Sequence, residues 1–154
     1  FVEFESGRRA VAVKNVSLAE EYLHDHFPGY PIVPASLMIE GMAQTGGILV
    51  GEARNFQEKV ILAKINRALF HDIVCAGDQL RLTAEVENLA QEAATIVGTI
   101  DCGDKHIADI NLMYSHIDQN MTGLEFPEEN FVFNRQFMDR LQIYKPTESS
   151  GQEM

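Results

Sequence analysis

The sequence predicts an α+β fold in which an antiparallel β-sheet wraps around one long central helix. Three observations support this prediction: an almost wholly apolar helical stretch near residues 35–54, several strand-like segments after it, and one strand-like segment before it. The 154 residues are enough for one domain with a substantial core. With 45% hydrophobic and 23% charged residues, the composition is that of an ordinary globular protein.

The first elements along the chain are a strand, a short helical turn and a stiff loop. Residues 9–16 alternate apolar and polar side chains, which predicts a strand after a turn at residues 6–7. Ser17 is a candidate N-cap for a helical turn over residues 18–23, with Glu20 in the capping-box position. Three prolines and one glycine fix the backbone of the following loop, residues 24–34.

The central helix is predicted from Ala35 or Ser36 to about Arg54, with Pro34 before it and Ser36 as a possible cap. Its four internal glycines each destabilise a helix by roughly 1 kcal/mol relative to alanine. Glycines are retained in a helix where other backbone must approach it closely, so we expect such an approach here. Because nearly every face is apolar, we expect the helix to be buried in the middle of the domain.

The sheet is predicted from the segments after this helix. Residues 60–74 are rich in β-branched and aromatic side chains, a turn follows at Ala76–Asp78, and residues 80–86 alternate in polarity. Residues 95–102 and 106–117 predict two further strands, joined by a hairpin at Gly103-Asp104.

The segment after residue 117 is predicted to be an extension of this domain, which itself spans residues 1–117. Pro127 is expected to begin a helix that ends near residue 141, and residues 147–154 are expected to be disordered. The apolar stripe of this helix is predicted to be a packing surface: Phe133, Phe137, Met138 and Leu141.

The net charge of −11 argues against nucleic acid and anionic membranes as partners, because both repel an acidic surface. A spanning helix is also not expected, because the apolar run of residues 33–50 contains Glu40. Cys75 and Cys102 lie far apart without metal-ligand spacing, which favours reduced thiols in a cytoplasmic protein. No signal peptide is recognisable, and residues can be missing upstream of Phe1.

His26 and Glu40 are the candidate catalytic pair. Burial in an apolar helix would favour the protonated form of Glu40, which suits a general acid, and histidine suits a general base. The first N–H groups of the helix, at Ala35 and Ser36, could bind a developing oxyanion. A base, an acid and an oxyanion site are what β-elimination beside a thioester carbonyl requires. From spacing alone, structural roles for both side chains are equally well supported.

The stretch HFPGYPIVPASLMIEGMAQTGGIL resembles the signature of the β-hydroxyacyl-acyl-carrier-protein dehydratases of the FabZ type, in the hotdog superfamily. FabA-type relatives carry Asp where Glu40 stands, which favours the FabZ type. Similarity extends over roughly residues 3–117, including the segments RRAVAVKNVS and AGDQLRL. The signature positions that match are His26, Phe27, Pro28, Gly29, Pro31, Pro34, Leu37, Glu40, Ala43 and Gln44.

The resemblance implies a hotdog dimer, or a trimer of dimers, whose sites combine His26 of one subunit with Glu40 of the other. The acyl chain would enter a tunnel between subunits, and no metal or redox cofactor is used. Gln44 would support Glu40 one helical turn away. Phe27 is expected in substrate binding, whereas Tyr30 suits the tunnel mouth and the open surface equally well.

Three features depart from the family pattern. Ala35 replaces the glycine that usually follows the second proline, so its methyl group would crowd the thioester carbonyl. The basic stretch that could dock an acidic carrier protein is reduced to Lys64 and Arg67. The extension from Asp118 exceeds the family's usual end, and we expect it to pack over the partner subunit or to narrow the tunnel entrance.

The predicted function is dehydration of β-hydroxyacyl thioesters on acyl carrier protein, or on coenzyme A, in fatty acid or related acyl-chain synthesis. The alternatives are a hotdog thioesterase in which Glu40 activates water, and a non-catalytic acyl-binding protein. A metal site at His24, Asp25 and His26 is not expected, because the sequence offers no further convergent ligand. The remaining histidines are expected to be structural or exposed: His71, His106 and His116.

Overall fold

The computed structural model of the chain describes residues 1–117, 127 and 130–144, with the backbone alone for residues 142–144. The strands are β1 (Glu3–Glu5), β2 (Arg9–Asn15), β3 (Val60–Phe70), β4 (Gln79–Leu89), β5 (Ala93–Cys102) and β6 (Lys105–His116). The helices are α1 (Tyr22–Asp25), α2 (Ala35–Glu52) and α3 (Arg135–Tyr144).

The strands form one antiparallel sheet in the order β1-β2-β4-β5-β6-β3, and α2 packs against five of them. This arrangement confirms the predicted α+β architecture with a central helix. The core lies between α2 and the sheet, where Met42, Leu49 and Val50 of the helix are fully buried. Alternate residues of β4 and β6 face the same core, so the alternating sequence pattern has a direct structural counterpart.

Strand β1 was not predicted, because three residues are too few to show an alternating pattern. It pairs with β2 at one edge of the sheet, and Glu3 forms ion pairs with Arg9 and Arg81. Tertiary contacts therefore define this strand.

The predicted helical turn over residues 18–23 is displaced, because α1 begins at Tyr22. Half of the predicted capping box is nevertheless formed: the Ser17 N–H donates to Glu20 Oε1 (2.9 Å), whereas Ser17 Oγ accepts from the Ala19 N–H (3.2 Å) and not from that of Glu20. The Glu20 side chain also accepts from Lys14 Nζ at 2.9 Å. This interaction ties the turn to β2, and a separate helix follows it.

Glu20 is expected to make the protein sensitive to acid. The hydrogen bond from Lys14, followed by the one from the Ser17 backbone, lowers the pKa of Glu20 from 4.5 to about 2. A lowered folded-state pKa contributes stability above pH 4.5, and this contribution is lost as the pH falls towards 2. Glu20→Gln should flatten the pH dependence of the free energy of unfolding in this window, measured by urea denaturation. An unchanged profile would contradict the assignment.

Helix α2 begins at Ala35, as one of the two predicted starts, but Ser36 does not cap it. The N-cap is Pro34, without a side-chain hydrogen bond, and Ser36 lies in the first turn. The expectation that backbone approaches the helix glycines is also wrong, because side chains approach them instead. A Cβ atom at Gly46 would lie 2.6 Å from the Tyr114 hydroxyl, and one at Gly51 would lie 2.6 Å from Phe133.

Helix α3 begins at residue 135, eight residues after the predicted start at Pro127. Residues 130–134 are not helical, because the Asn130 side chain bonds the backbone around it, and Asn134 Oδ1 accepts from the Phe137 N–H at 2.9 Å as a helix cap. The predicted packing role of the apolar stripe is confirmed: Phe133 and Leu141 are buried, and Phe137 and Met138 pack on the core. The predicted disordered tail, residues 147–154, lies outside the described residues.

Among the described residues, no helix combines the length and apolar character needed to span a membrane. Both cysteines are free and half-buried.

Candidate active site

The loop that presents His26 is held by backbone hydrogen bonds at both ends of that residue. The His26 N–H donates to Tyr22 O (3.1 Å), and His26 O accepts from the Ile32 N–H (3.0 Å). Val33 N–H bonds Val74 O at 2.8 Å, which attaches the loop to the connection between β3 and β4. The predicted stiffness of the loop therefore comes from this hydrogen bonding as well as from its prolines.

Phe27 and Tyr30 close a tight turn beside His26, in which each residue's N–H bonds the other's carbonyl at 2.9–3.1 Å. Gly29 has a φ of +79°, a conformation that side-chain-bearing residues rarely adopt. The Phe27 ring stacks on the His26 ring with centroids 4.2 Å apart. Both Phe27 and Tyr30 are more than half exposed, so they are available to a ligand or to a second protein surface.

The His26 ring has a buried nitrogen, Nδ1, that lacks a hydrogen-bond partner among the described residues. Buried polar atoms without a partner are uncommon, and a catalytic role is one of the explanations for them. The His26 side chain as a whole is only half-buried, so part of its ring remains accessible.

Glu40 lies on the exposed stripe of α2, together with Leu37 and Gln44. These positions are three and four residues apart, so they share one face of the helix. The expectation that Glu40 is buried is therefore wrong for a single chain, because the sheet covers the opposite faces of α2. Gln44 Nε2 donates to Glu40 Oε1 at 2.7 Å, which fixes the carboxyl group and agrees with the predicted supporting position of Gln44.

The first two N–H groups of α2, at Ala35 and Ser36, have no acceptor within the helix, because no carbonyl lies four residues before them in helical geometry. Both residues are exposed. An eighteen-residue helix carries partial positive charge at this end, so the two amides can bind an anionic oxygen.

A cavity of about 500 Å³ adjoins Glu40 and runs along α2. Its lining is mostly apolar and includes Tyr114, whose hydroxyl donates to Ala43 O at 2.8 Å. Burial raises the pKa of Tyr114, so its hydroxyl stays neutral. His26 does not line this cavity, nor a second one of about 210 Å³ between α2, β2 and β4. Within one chain, the two predicted catalytic side chains therefore do not meet in either of these two cavities.

A separate cluster joins two histidines and one carboxylate on the sheet. Asp109 accepts from His71 Nε2 (2.8 Å) and His106 Nε2 (3.1 Å), and Asp101 pairs with His106 Nδ1 (2.8 Å). Asp101 and then Asp109 raise the pKa of His106. His71 and His106 are exposed, as expected, and they link the end of β3 to β6. None of these residues lines the cavity beside Glu40.

His116 is fully buried, so it is structural rather than exposed. Its Nδ1 lies 2.7 Å from Glu58 Oε2 and 2.9 Å from Gln91 O. Sequence reasoning missed this pairing, and it also missed Tyr114 as a cavity residue. The only sequence signal for Tyr114 was its position in a strand of alternating polarity. This pattern predicts that the side chain is buried, but it does not predict that the side chain contacts α2.

Comparison with known families gives a match to the FabA-like domain over residues 2–111. A 3-hydroxyacyl-[acyl-carrier-protein] dehydratase FabZ from Pelotomaculum thermopropionicum is 41% identical over 112 residues, which are 72% of this chain and 80% of the relative. A protein of the same name from Koribacter versatilis is 42% identical over 106 residues, 68% of each chain.

Solved structures share the fold at low sequence identity. A Streptococcus mutans protein bound to acetyl CoA superposes with a TM-score of 0.61 at 12% identity, covering 74% of this chain and 84% of that one. At this identity, the likeness concerns the hotdog fold alone. The matched family region ends before the segment that contains α3.

Proposed function

Because this chain belongs to the FabA-like family and has FabZ dehydratases among its relatives, we propose that it dehydrates β-hydroxyacyl thioesters to trans-2-enoyl thioesters in acyl-chain synthesis. The observation that supports this most strongly is the exposed Glu40–Gln44 pair beside an apolar cavity. A carboxyl group at the polar end of an apolar cavity suits a substrate with a reactive head and an acyl tail.

In the proposed reaction, His26 removes a proton from the carbon next to the thioester carbonyl. The N–H groups of Ala35 and Ser36 stabilise the negative charge that develops on the carbonyl oxygen. Glu40 protonates the β-hydroxyl group, which leaves as water while the new double bond forms. Gln44 holds one Glu40 oxygen, so the other oxygen is directed to the substrate.

A second copy of the chain is part of this proposal, because His26 lines neither of the two cavities along α2 of its own subunit. We propose a dimer in which each site takes His26 from one subunit and Glu40 from the other. The exposed stripe of α2 and the exposed Phe27–Tyr30 turn are the surfaces that would meet. Burial by the second copy would also supply the dry surroundings that Glu40 lacks in a single chain.

Strand β3 supports the same arrangement. It is eleven residues long, lies at the edge of the sheet, and exposes apolar side chains to solvent. An exposed apolar edge strand of this length promotes aggregation unless another strand or surface covers it. Pairing with β3 of a second copy would cover it, and the residues buried there would be Leu62, Ile65, Leu69 and Phe70.

The function is tested by incubating the purified protein with β-hydroxyacyl thioesters of acyl carrier protein and of coenzyme A. We expect an increase in enoyl absorbance without release of free thiol. Thiol release without an enoyl product would select the thioesterase instead. Binding without any turnover would select the acyl-binding alternative. The faster of the two thioesters identifies the carrier.

A further inference from the structure

The segment from Asn130 to Phe137 lies outside the matched family region, yet it forms one wall of the cavity beside Glu40. Its contributions to the lining are Val132, Phe133 and Phe137. The rest of the lining comes from α2, β3 and β6 of the same chain. The extension was expected to pack over the partner subunit or to narrow the tunnel entrance, and its described part packs against its own subunit.

Side-chain hydrogen bonds fix this wall in place. Asn130 Nδ2 donates to Phe56 O and Glu58 O, both at 3.0 Å, so the segment is tied to the connection between α2 and β3. Asn130 Oδ1 accepts from the N–H groups of Val132 (3.0 Å) and Phe133 (2.9 Å). These four bonds use both ends of one amide side chain and set the direction of the chain as it enters α3.

Aromatic packing completes the wall. The buried Phe133 ring lies 4.9 Å from the Phe56 ring and rests against Gly51, where any side chain would collide with it. The half-buried Phe137 ring lies 5.6 Å from Phe133. Both rings line the cavity, but Phe133 is also buried in the core, whereas Phe137 is only half-buried.

The polarity of the cavity changes along its length. Glu40 and Gln44 lie at one end of its α2 lining, and Ile48 lies at the other. Eight residues of helix separate Glu40 from Ile48, which corresponds to about 12 Å. Lipid chains fill about 15 Å in each half of a bilayer core, so this stretch of the α2 lining is shorter than a chain of membrane length.

We propose that this wall closes the far end of the acyl-chain site, and that Phe137 limits the length of the acyl chain that the enzyme accepts. The inference rests on the proposed function, because it takes the head of the substrate to lie at Glu40. The ligand class is a β-hydroxyacyl thioester with a chain shorter than those of membrane lipids.

The test compares kcat/KM for 3-hydroxyacyl thioesters from butyryl to palmitoyl length in the wild-type protein, in Phe137→Ala and in Met138→Ala. Met138 is the matched control, because it lies next to Phe137 and packs on the core but does not line the cavity. For Phe137→Ala we expect the ratio of long-chain to short-chain kcat/KM to rise relative to the other two proteins. Activity on the longest chains should rise about tenfold, since each additional buried CH₂ group strengthens binding roughly fourfold.

Identical chain-length profiles for all three proteins would overturn the inference while leaving the proposed function intact. A wild-type protein that already prefers palmitoyl chains would overturn it as well. If no dehydration occurred with any substrate, the proposed function would fail. Calorimetric measurement of the binding of the same thioesters would then still test whether Phe137 limits the chain length. The Phe137→Ala variant should then bind long chains more tightly than Met138→Ala, and equal affinities would overturn the inference.

Discussion

His26→Ala and Glu40→Gln are each expected to reduce kcat/KM for dehydration by about 10²–10⁴-fold, the usual contribution of one general acid or base. Each variant lacks one proton-transfer group, and Glu40→Gln also keeps the shape of the side chain that it replaces. The loss should appear mainly in kcat, because neither group is needed to hold the acyl chain. Steady-state assays with a β-hydroxyacyl thioester measure both parameters.

Gln44→Ala is a milder variant with which the activities of His26→Ala and Glu40→Gln can be compared. It removes the 2.7 Å hydrogen bond to Glu40 but leaves the carboxyl group, so the loss of activity should be smaller than in Glu40→Gln. All three side chains lie outside the fully buried core, so the melting temperatures of the three variants should stay close to that of the wild-type protein. Wild-type turnover in either His26→Ala or Glu40→Gln would contradict the assigned chemistry.

Gly46→Ala is expected to destabilise the protein strongly, although it adds only one methyl group to α2. The new Cβ would lie 2.6 Å from the Tyr114 hydroxyl and 2.9 Å from Ile96 Cδ1, so buried side chains on two strands would have to move. Overpacking of this kind reduces the free energy of unfolding by about 1–3 kcal/mol. Urea denaturation monitored by circular dichroism measures the change.

Gly47→Ala is the matched control at the next position. Its Cβ would meet Tyr114 Cε1 at 3.4 Å, an ordinary contact, and alanine favours a helix by roughly 1 kcal/mol over glycine. We therefore expect Gly47→Ala to be neutral or stabilising. Adding Tyr114→Phe to Gly46→Ala should recover part of the lost stability, because it removes the atom at 2.6 Å. Equal stability of Gly46→Ala and Gly47→Ala would contradict the tight packing of Tyr114 and Ile96 against Gly46.

The regular elements were predictable because their signals are local. Strands β4, β5 and β6 follow alternating polarity, and α2 begins at one of the two residues predicted for it. The boundaries that failed depend on tertiary contacts: Lys14 draws Glu20 towards β2, and Asn130 binds the carbonyls of Phe56 and Glu58. Sequence spacing contains no information on such distant partners.

The candidate site likewise combines features that the sequence predicts with features that it does not predict. The loop that holds His26, the helix that holds Glu40, and the support from Gln44 could be predicted from residue types and a motif. The exposure of Glu40 could not, because an apolar helix does not reveal which face its own sheet leaves open. The aromatic wall at Phe137 could not be predicted either. The apolar stripe of α3 indicates that the helix packs on something, but it does not indicate which surface.

The most direct test of the central claim is a mixed dimer of two inactive chains, one with His26→Ala and the other with Glu40→Gln. Co-expression with different affinity tags allows the heterodimer to be isolated. If each site combines residues of both copies, one of its two sites is intact, and about half of the wild-type activity should return. Activity no higher than that of the two parent variants would contradict a site shared between subunits.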